Sequence, residues 1–170
     1  MSGTLLVLTG GSGAGKTTLA AGIQQMHLQN LKVLFFDSIG IPAAELDAFG
    51  TGHQPGGVWQ RQATMDWMDR IAGMLRAGDS VLFEGQMRIA FIQEAIAASR
   101  IANARILLID CADDCRISRL TDRGQAHLAN PDMMNWSQYL RAESREMGCE
   151  ILDTGVLTLA ECLARLKACL

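Results

Sequence analysis

The chain of 170 residues reads as an α/β domain of three layers, a parallel sheet held between two layers of helices. Two patterns carry that reading. Short apolar runs alternate with longer amphipathic stretches, the signature of successive βαβ units. The runs are also apolar at consecutive positions instead of every second one, which suits strands covered by helices on both faces. The length fits one compact domain, and no internal repeat or long linker divides it.

Taken in order, the first strand is expected over residues 4–9 (TLLVLT), followed by a glycine-rich turn and a helix over 16–29. The second strand, 32–37 (KVLFFD), ends on Asp37. Gly40, Pro42, Gly50, Gly52, Pro55 and Gly56 then punctuate a loop over 38–56, with a short helix expected at 43–49 inside it. In the helix over 57–77, Trp67, Met68, Ile71, Met74 and Leu75 return at helical spacing. The remaining strands are expected at 80–84 (SVLFE), 105–110 (RILLID) and 149–152 (CEIL), and the remaining helices at 89–99, 113–124, 133–147 and 158–168. Asp113 or Asp114 suits the cap of the helix over 113–124, and Asp132, after Pro131, that of the helix over 133–147.

Hydrophobic residues make up 49% of the chain and charged residues 19%, a balance that excludes a disordered or collagen-like protein. The longest apolar runs fall far below the roughly 18 residues of a membrane span, and no basic region precedes the first of them. A cytoplasmic protein without membrane association is the expectation. The net charge of −3 offers no basic field for a nucleic-acid backbone, so no stable nucleic-acid partner is expected. The five cysteines are odd in number and read as small buried apolar residues, since neither the Cys111/Cys115 nor the Cys162/Cys169 spacing is a metal signature.

Directly after the first strand, Gly10-Gly11-Ser12-Gly13-Ala14-Gly15-Lys16-Thr17 fits G-x-x-x-x-G-K-[ST] at every fixed position. A strand precedes this loop and a helix succeeds it. In that context the backbone N–H groups of Gly11, Ser12, Gly13, Ala14, Gly15, Lys16, Thr17 and Thr18 converge on a phosphate at the helix N-terminus. The glycines let the main chain curl without Cβ clashes. Lys16 would reach the outer phosphates as a point charge, and the Thr17 hydroxyl would ligate Mg²⁺ bridging two phosphate oxygens. A turn selected for packing alone would not need a lysine here, yet one of only three lysines in the chain occupies the required position.

Nucleotide binding leaves a switch GTPase, an assembly ATPase and a small-molecule kinase open. No N-K-x-D base-reading segment is present, and the D-x-x-G match at residues 37–40 is too short to weigh. An assembly ATPase with a lid subdomain is cramped at 170 residues. The residues at the ends of the other strands give the chain a pattern that resembles the adenylate-kinase-like superfamily of small P-loop kinases, which includes nucleoside monophosphate, shikimate, gluconate and chloramphenicol kinases. The resemblance spans the phosphate loop, the acidic end of the second strand, Glu84-Gly85 after the third, the arginine-rich helix after the fourth, and Asp153-Thr154-Gly155 after the fifth. It implies a five-stranded parallel sheet in the order 2-3-1-4-5, with ATP and Mg²⁺ as cofactors.

The resemblance also implies roles. Asp37 would hold or deprotonate the acceptor hydroxyl; a strand-end aspartate also caps turns. Glu84 stands where the family usually has Asp, and whether its longer side chain would bind Mg²⁺ directly or through water stays open. Gly85 would let substrate approach the backbone, with Gln86 and Arg88 extending toward the acceptor. Arg116, Arg119 and Arg123 share one helix face, and Arg119 and Arg123 fit the family's R-x-x-x-R lid, which closes over the transferring phosphoryl group. Arg141 and Arg145 could reach the same phosphates, whereas Asp110 ranks below the other strand-end acids. Gly155 belongs to the turn that packs on the base. The acceptor region, residues 38–78, carries Trp59, a ring-stacking or core residue, and Arg61, which would suit an anionic acceptor; residues 113–147 form the lid and the helix after it. His127 and Trp136 carry no assigned role. The expectation is thus a kinase for a small-molecule hydroxyl or phosphate acceptor, against the alternative of a nucleotide-binding regulatory or assembly ATPase without one. Acceptor identity and oligomeric state stay open.

Overall fold

The computed structural model describes residues 3–39 and 57–170, so the helix expected at 43–49 lies outside the described residues. Strands β1 (Leu5–Thr9), β2 (Leu31–Phe35), β3 (Ser80–Gly85), β4 (Ala104–Asp110) and β5 (Glu150–Asp153) form one sheet. All neighbouring strands are parallel and the order is β2-β3-β1-β4-β5, the order the resemblance implied. Around it lie α1 (Lys16–Gln25), α2 (Gly57–Arg76), α3 (Ile89–Ala98), α4 (Asp113–Asp122), α5 (Pro131–Glu146) and α6 (Leu159–Ala168). Among the described residues no helix is long and apolar enough to cross a membrane.

Strand side chains alternate between faces, so one apolar run feeds two cores. On one face Leu5, Val7, Val81 and Phe83 pack with Trp67, Met68 and Ile71 of α2 and Ile92 of α3. On the other, Leu6, Leu8, Leu82, Leu107 and Ile109 pack with Leu19 and Ile23 of α1 and Leu166 of α6. A smaller cluster of Leu108, Trp136 and Leu140 seats α5. Each fully buried leucine or valine contributes about 1.5–3 kcal/mol. Every residue of β1 is buried, which explains its place at the centre of the sheet. That position brings the carboxyl ends of β1, β3 and β4 side by side, where open parallel sheets bind ligands.

Several boundaries differ from those expected. β2 stops at Phe35, and Phe36–Ile39 forms a 3₁₀ turn. The cause is Phe36, which turns inward edge-on to Trp59 at 5.7 Å and lies 6.1 Å from Phe83. Asp37 therefore sits exposed in the turn, beyond the strand end. Helix α1 ends at Gln25 instead of 29, and the chain leaves it through left-handed residues, His27 (φ 48°) and Asn30 (φ 55°). Helix α5 starts at Pro131 because Asn130, and not Asp132, caps it: its side chain accepts from the Met133 amide at 2.9 Å. The cap position of α4 is Ala112, which has no capping side chain, while Asp113 and Asp114 lie in the first turn. There they complement the positive end of the helix dipole.

Candidate active site

The phosphate loop leaves β1 and enters α1 through Gly15, whose φ of 97° is left-handed, as is that of Gly13 at 79°. Such alternation turns successive amides toward one side and makes an anion-binding nest. The loop is also tightly embraced by protein. A Cβ on Gly13 would meet the Arg116 side chain at 3.0 Å, and one on Gly11 would meet Ser137 Oγ at 2.5 Å. Lys16 is buried, and its ammonium donates to the Gly11 carbonyl at 3.1 Å. Burial lowers its pKa to about 8, with Glu84 and Asp37 opposing and Arg116 and Arg123 adding to the shift. Glu84 is likewise buried and accepts from the Thr17 hydroxyl at 3.2 Å. Burial pushes its carboxyl up, and Lys16 and the Thr17 hydrogen bond hold it back. A hydroxyl and a carboxylate side by side are hard oxygen donors, and together with phosphate oxygens they fit what Mg²⁺ requires.

Behind the loop stands a buried ion network. Arg116 is wholly inaccessible to solvent; one guanidinium nitrogen donates to the Ser12 carbonyl at 2.6 Å and another to Asp110 Oδ1 at 2.8 Å. Arg141, on α5, donates through Nε to Asp110 Oδ2 at 2.6 Å, and this hydrogen bond raises its pKa. Further along α4 the arginines face a different space. Arg119 and Arg123 line a cleft of about 370 Å³ whose other walls include Gly13, Gly15 and Thr18 of the loop and Thr154 and Leu157 after β5. Arg119 is fixed by hydrogen bonds to Thr154 Oγ1 at 2.8 Å and to the Thr154 carbonyl at 2.7 Å.

On the opposite side of the loop, the turn after β3 brings Gln86 Nε2 to Ser12 Oγ at 2.8 Å. Gln60 of α2 locks that turn, donating to the Gln86 carbonyl at 3.1 Å and accepting from the Arg88 amide at 3.0 Å and its guanidinium at 3.1 Å. The buried Arg88 guanidinium lies over the rings of Phe91 and Trp136, each at 5.3 Å, and Tyr139 at 5.9 Å. Desolvated cation–π contacts of this kind contribute about 2 kcal/mol or more. Glu143 of α5 accepts from the amides of Ile89 at 2.7 Å and Ala90 at 3.2 Å, capping α3 from another helix.

No protein-family model matches this chain, and no curated protein matches it. Solved structures do. A sugar kinase from Janibacter sp. HTCC2649 is 18% identical with a TM-score of 0.67, the match covering 98% of this chain and 93% of that one. A gluconokinase from Sinorhizobium meliloti 1021 is 16% identical with a TM-score of 0.65, over 99% and 91% of the two chains. The shikimate kinase of Acinetobacter baumannii, in complex with shikimate, is 14% identical with a TM-score of 0.63, over 97% and 91%. The chain has the P-loop kinase fold.

Within this P-loop kinase fold, Lys16, Thr17 and Glu84 meet at the loop, and Arg119 of α4 and Arg123 just beyond its end line the cleft beside it. Gln86 reaches it through Ser12. The remaining expected residues make other contacts. Arg61 lies on the outer face of α2 in an ion pair with Glu94. The inner face of that helix is Gln60, Ala63, Thr64 and Trp67, and the adjacent position turns about 100° away. The space that Gly85 leaves is taken by Phe36, whose Cβ would collide with any side chain placed there. Gly155 folds back on Asp153, its amide donating to that carboxylate at 2.8 Å, and Thr154 lines the cleft in its place. Arg116 is built into the support of the loop, apart from the two arginines with which it shares a helix face. Gln60 and Glu143 escape the sequence reading and Asp110 ranks low in it, although all three are buried polar residues that tie the site together. Trp136, without a role in the sequence, stacks on Tyr139 at 5.6 Å beneath Arg88.

Proposed function

We propose that the protein is an ATP- and Mg²⁺-dependent kinase that moves the γ-phosphoryl group to a hydroxyl or phosphate oxygen of a small molecule. The observation that carries this reading is the buried Lys16 ammonium inside the loop, with the Thr17–Glu84 oxygen pair beside it and Arg119 and Arg123 across the cleft. Burial deprives Lys16 of water, so the charge it carries acts on the outer phosphates with little screening. Thr17 and Glu84 would hold Mg²⁺, which when bound neutralises charge on the phosphate oxygens. Arg119 and Arg123 would stabilise the charge that spreads over the equatorial oxygens during transfer. Asp37 lies at the open edge, where Lys16 and Glu84 both feel its charge, and it would accept the hydrogen bond of the acceptor hydroxyl and orient that oxygen for attack. Residues 38–78 would form the acceptor side, and residues 113–147 the lid and the helix after it. A reducing cytoplasm suits the five free thiols.

The test is ADP production with Mg²⁺·ATP and a panel of nucleosides, nucleotides and sugar acids. Turnover stimulated by an acceptor is the expected result. Turnover raised only by a protein partner would favour a regulatory ATPase instead. Lys16→Ala should abolish nucleotide binding or turnover, and wild-type turnover in that variant would overturn the assignment of the loop.

A further inference from the structure

A phosphate loop works only if its amide N–H groups point at the anion, and a peptide unit is free to flip unless something holds it. In a trans peptide the carbonyl of one residue and the N–H of the next point in opposite directions, so a hold on the carbonyl is a hold on the following amide. Two carbonyls of this loop are gripped by short hydrogen bonds from the side of α4 and the β5–α6 turn, while the Gly13 carbonyl between them takes only longer ones, from Arg119 at 3.4 Å and Cys111 Sγ at 3.7 Å. Arg116 donates to the Ser12 carbonyl at 2.6 Å, and the Thr154 hydroxyl donates to the Ala14 carbonyl at 2.7 Å. Each donor is itself aimed. The Arg116 guanidinium is anchored on Asp110, whose other oxygen is taken by Arg141. The Thr154 hydroxyl receives a hydrogen bond from Arg119 at 2.8 Å, which leaves its single proton for an acceptor; the Asp110 carbonyl, at 3.2 Å, is the more distant of the two on offer.

We propose that Arg116 and Thr154 are positioning residues of the phosphate loop: by holding the Ser12 and Ala14 carbonyls from behind, they fix the amides of Gly13 and Gly15 toward the anion. The inference rests on the reading of this loop as a polyphosphate site and adds how its donors are kept in place. The held carbonyls alternate with the left-handed Gly13 and Gly15, which lack a Cβ to resist a flip. Arg116 has no access to solvent and Thr154 meets the loop through its hydroxyl, so neither needs to touch a phosphate to act.

The experiment measures binding of Mg²⁺·ADP, inorganic tripolyphosphate and adenosine by calorimetry, with the Gly13 and Gly15 amide resonances followed by NMR. It compares wild type with Thr154→Val, Thr154→Ser, Arg116→Met and Arg116→Lys. Thr154→Val removes the hydroxyl at nearly constant volume and should weaken tripolyphosphate roughly three- to tenfold while leaving adenosine unchanged. Thr154→Ser should restore the affinity, and Arg116→Lys should bind tripolyphosphate more tightly than Arg116→Met. The Gly15 amide should lose its ligand-induced shift in Thr154→Val and keep it in Thr154→Ser. Should Arg116→Met fail to fold, the Thr154 pair decides alone. A folded Thr154→Val that binds tripolyphosphate as wild type does, or that loses adenosine and tripolyphosphate equally, overturns this inference and leaves the kinase reading standing. Wild-type protein that binds neither Mg²⁺·ADP nor tripolyphosphate overturns both.

Discussion

Burial couples Lys16 to pH. Its folded pKa, about 8, lies below the ordinary 10.5, so between those values the unfolded chain holds more protons than the native one. The Lys16 contribution to stability therefore rises with pH across that window, opposed by Cys111, Cys149 and Cys162, whose thiols burial pushes up, and the penalty of burying the charged amine is fully present below it. Between pH 7.5 and about 9.5 the change in denaturant midpoint should be more positive in wild type than in Lys16→Met, because only wild type carries the Lys16 contribution. Anionic ligand reverses the effect: Mg²⁺·ADP binding near pH 8.5 should take up protons, visible as a dependence of the calorimetric heat on buffer ionisation enthalpy. Asp37→Asn should reduce phosphoryl transfer by roughly 100-fold or more, in the range of general-base and orientation effects, while nucleotide affinity stays near wild type. If nucleotide affinity fell instead, Asp37 would belong to the metal site. The sequence reveals Lys16 and Thr17 because their chemistry is encoded within eight consecutive letters. It conceals the difference between Arg116 and its two neighbours, since spacing places all three on one face and only burial, 0% exposure for Arg116, separates them. The Arg61–Glu94 pair is hidden for the same reason: which way a helix residue faces depends on what packs beside it.

At the level of elements, the caps are where sequence and structure diverge most usefully. Helix α6 begins with a capping box in which the Thr158 hydroxyl accepts from the Glu161 amide and the Glu161 carboxylate accepts from the Thr158 amide at 2.8 Å. Its effect holds Glu161 below the usual carboxylate range. Thr158→Ala should cost about 1 kcal/mol in chemical denaturation, with no change in nucleotide affinity. Strand existence is plain from the apolar runs, and the whole β2-β3-β1-β4-β5 order accords with the family resemblance. The end of β2 is not plain, because Phe36 continues the apolar run while its ring serves tertiary contacts with Trp59 and Phe83. The end of α1 is hidden too, since no glycine or proline marks it and the left-handed turns fall on His27 and Asn30. Asn130 outcompetes Asp132 as a cap because Pro131 already occupies the first helical position, where its missing N–H costs nothing.

For the whole molecule, ligand and fold are linked. A ligand that binds only the native state at 100 times its dissociation constant adds about 2.7 kcal/mol of stability. Mg²⁺·ADP should accordingly raise the melting temperature of wild type by several degrees and leave that of Lys16→Ala unmoved; equal shifts in both would place the ligand elsewhere. The two faces of the sheet are held by separate cores, yet helix α5 reaches across to both halves of the ligand edge. Through Arg141 it grips Asp110 at the end of β4, and through Glu143 it supplies the starting carboxylate for α3. Charge-assisted bonds of this kind contribute about 1.5–3 kcal/mol each, more if their rupture strands a buried charge. Helix α5 is consequently a fixed wall, riveted to the sheet and to its neighbour. Arg116 of α4 is anchored on the same Asp110 that Arg141 grips, so a single carboxylate moors both helices and the start of α4 shares the rigidity of that wall.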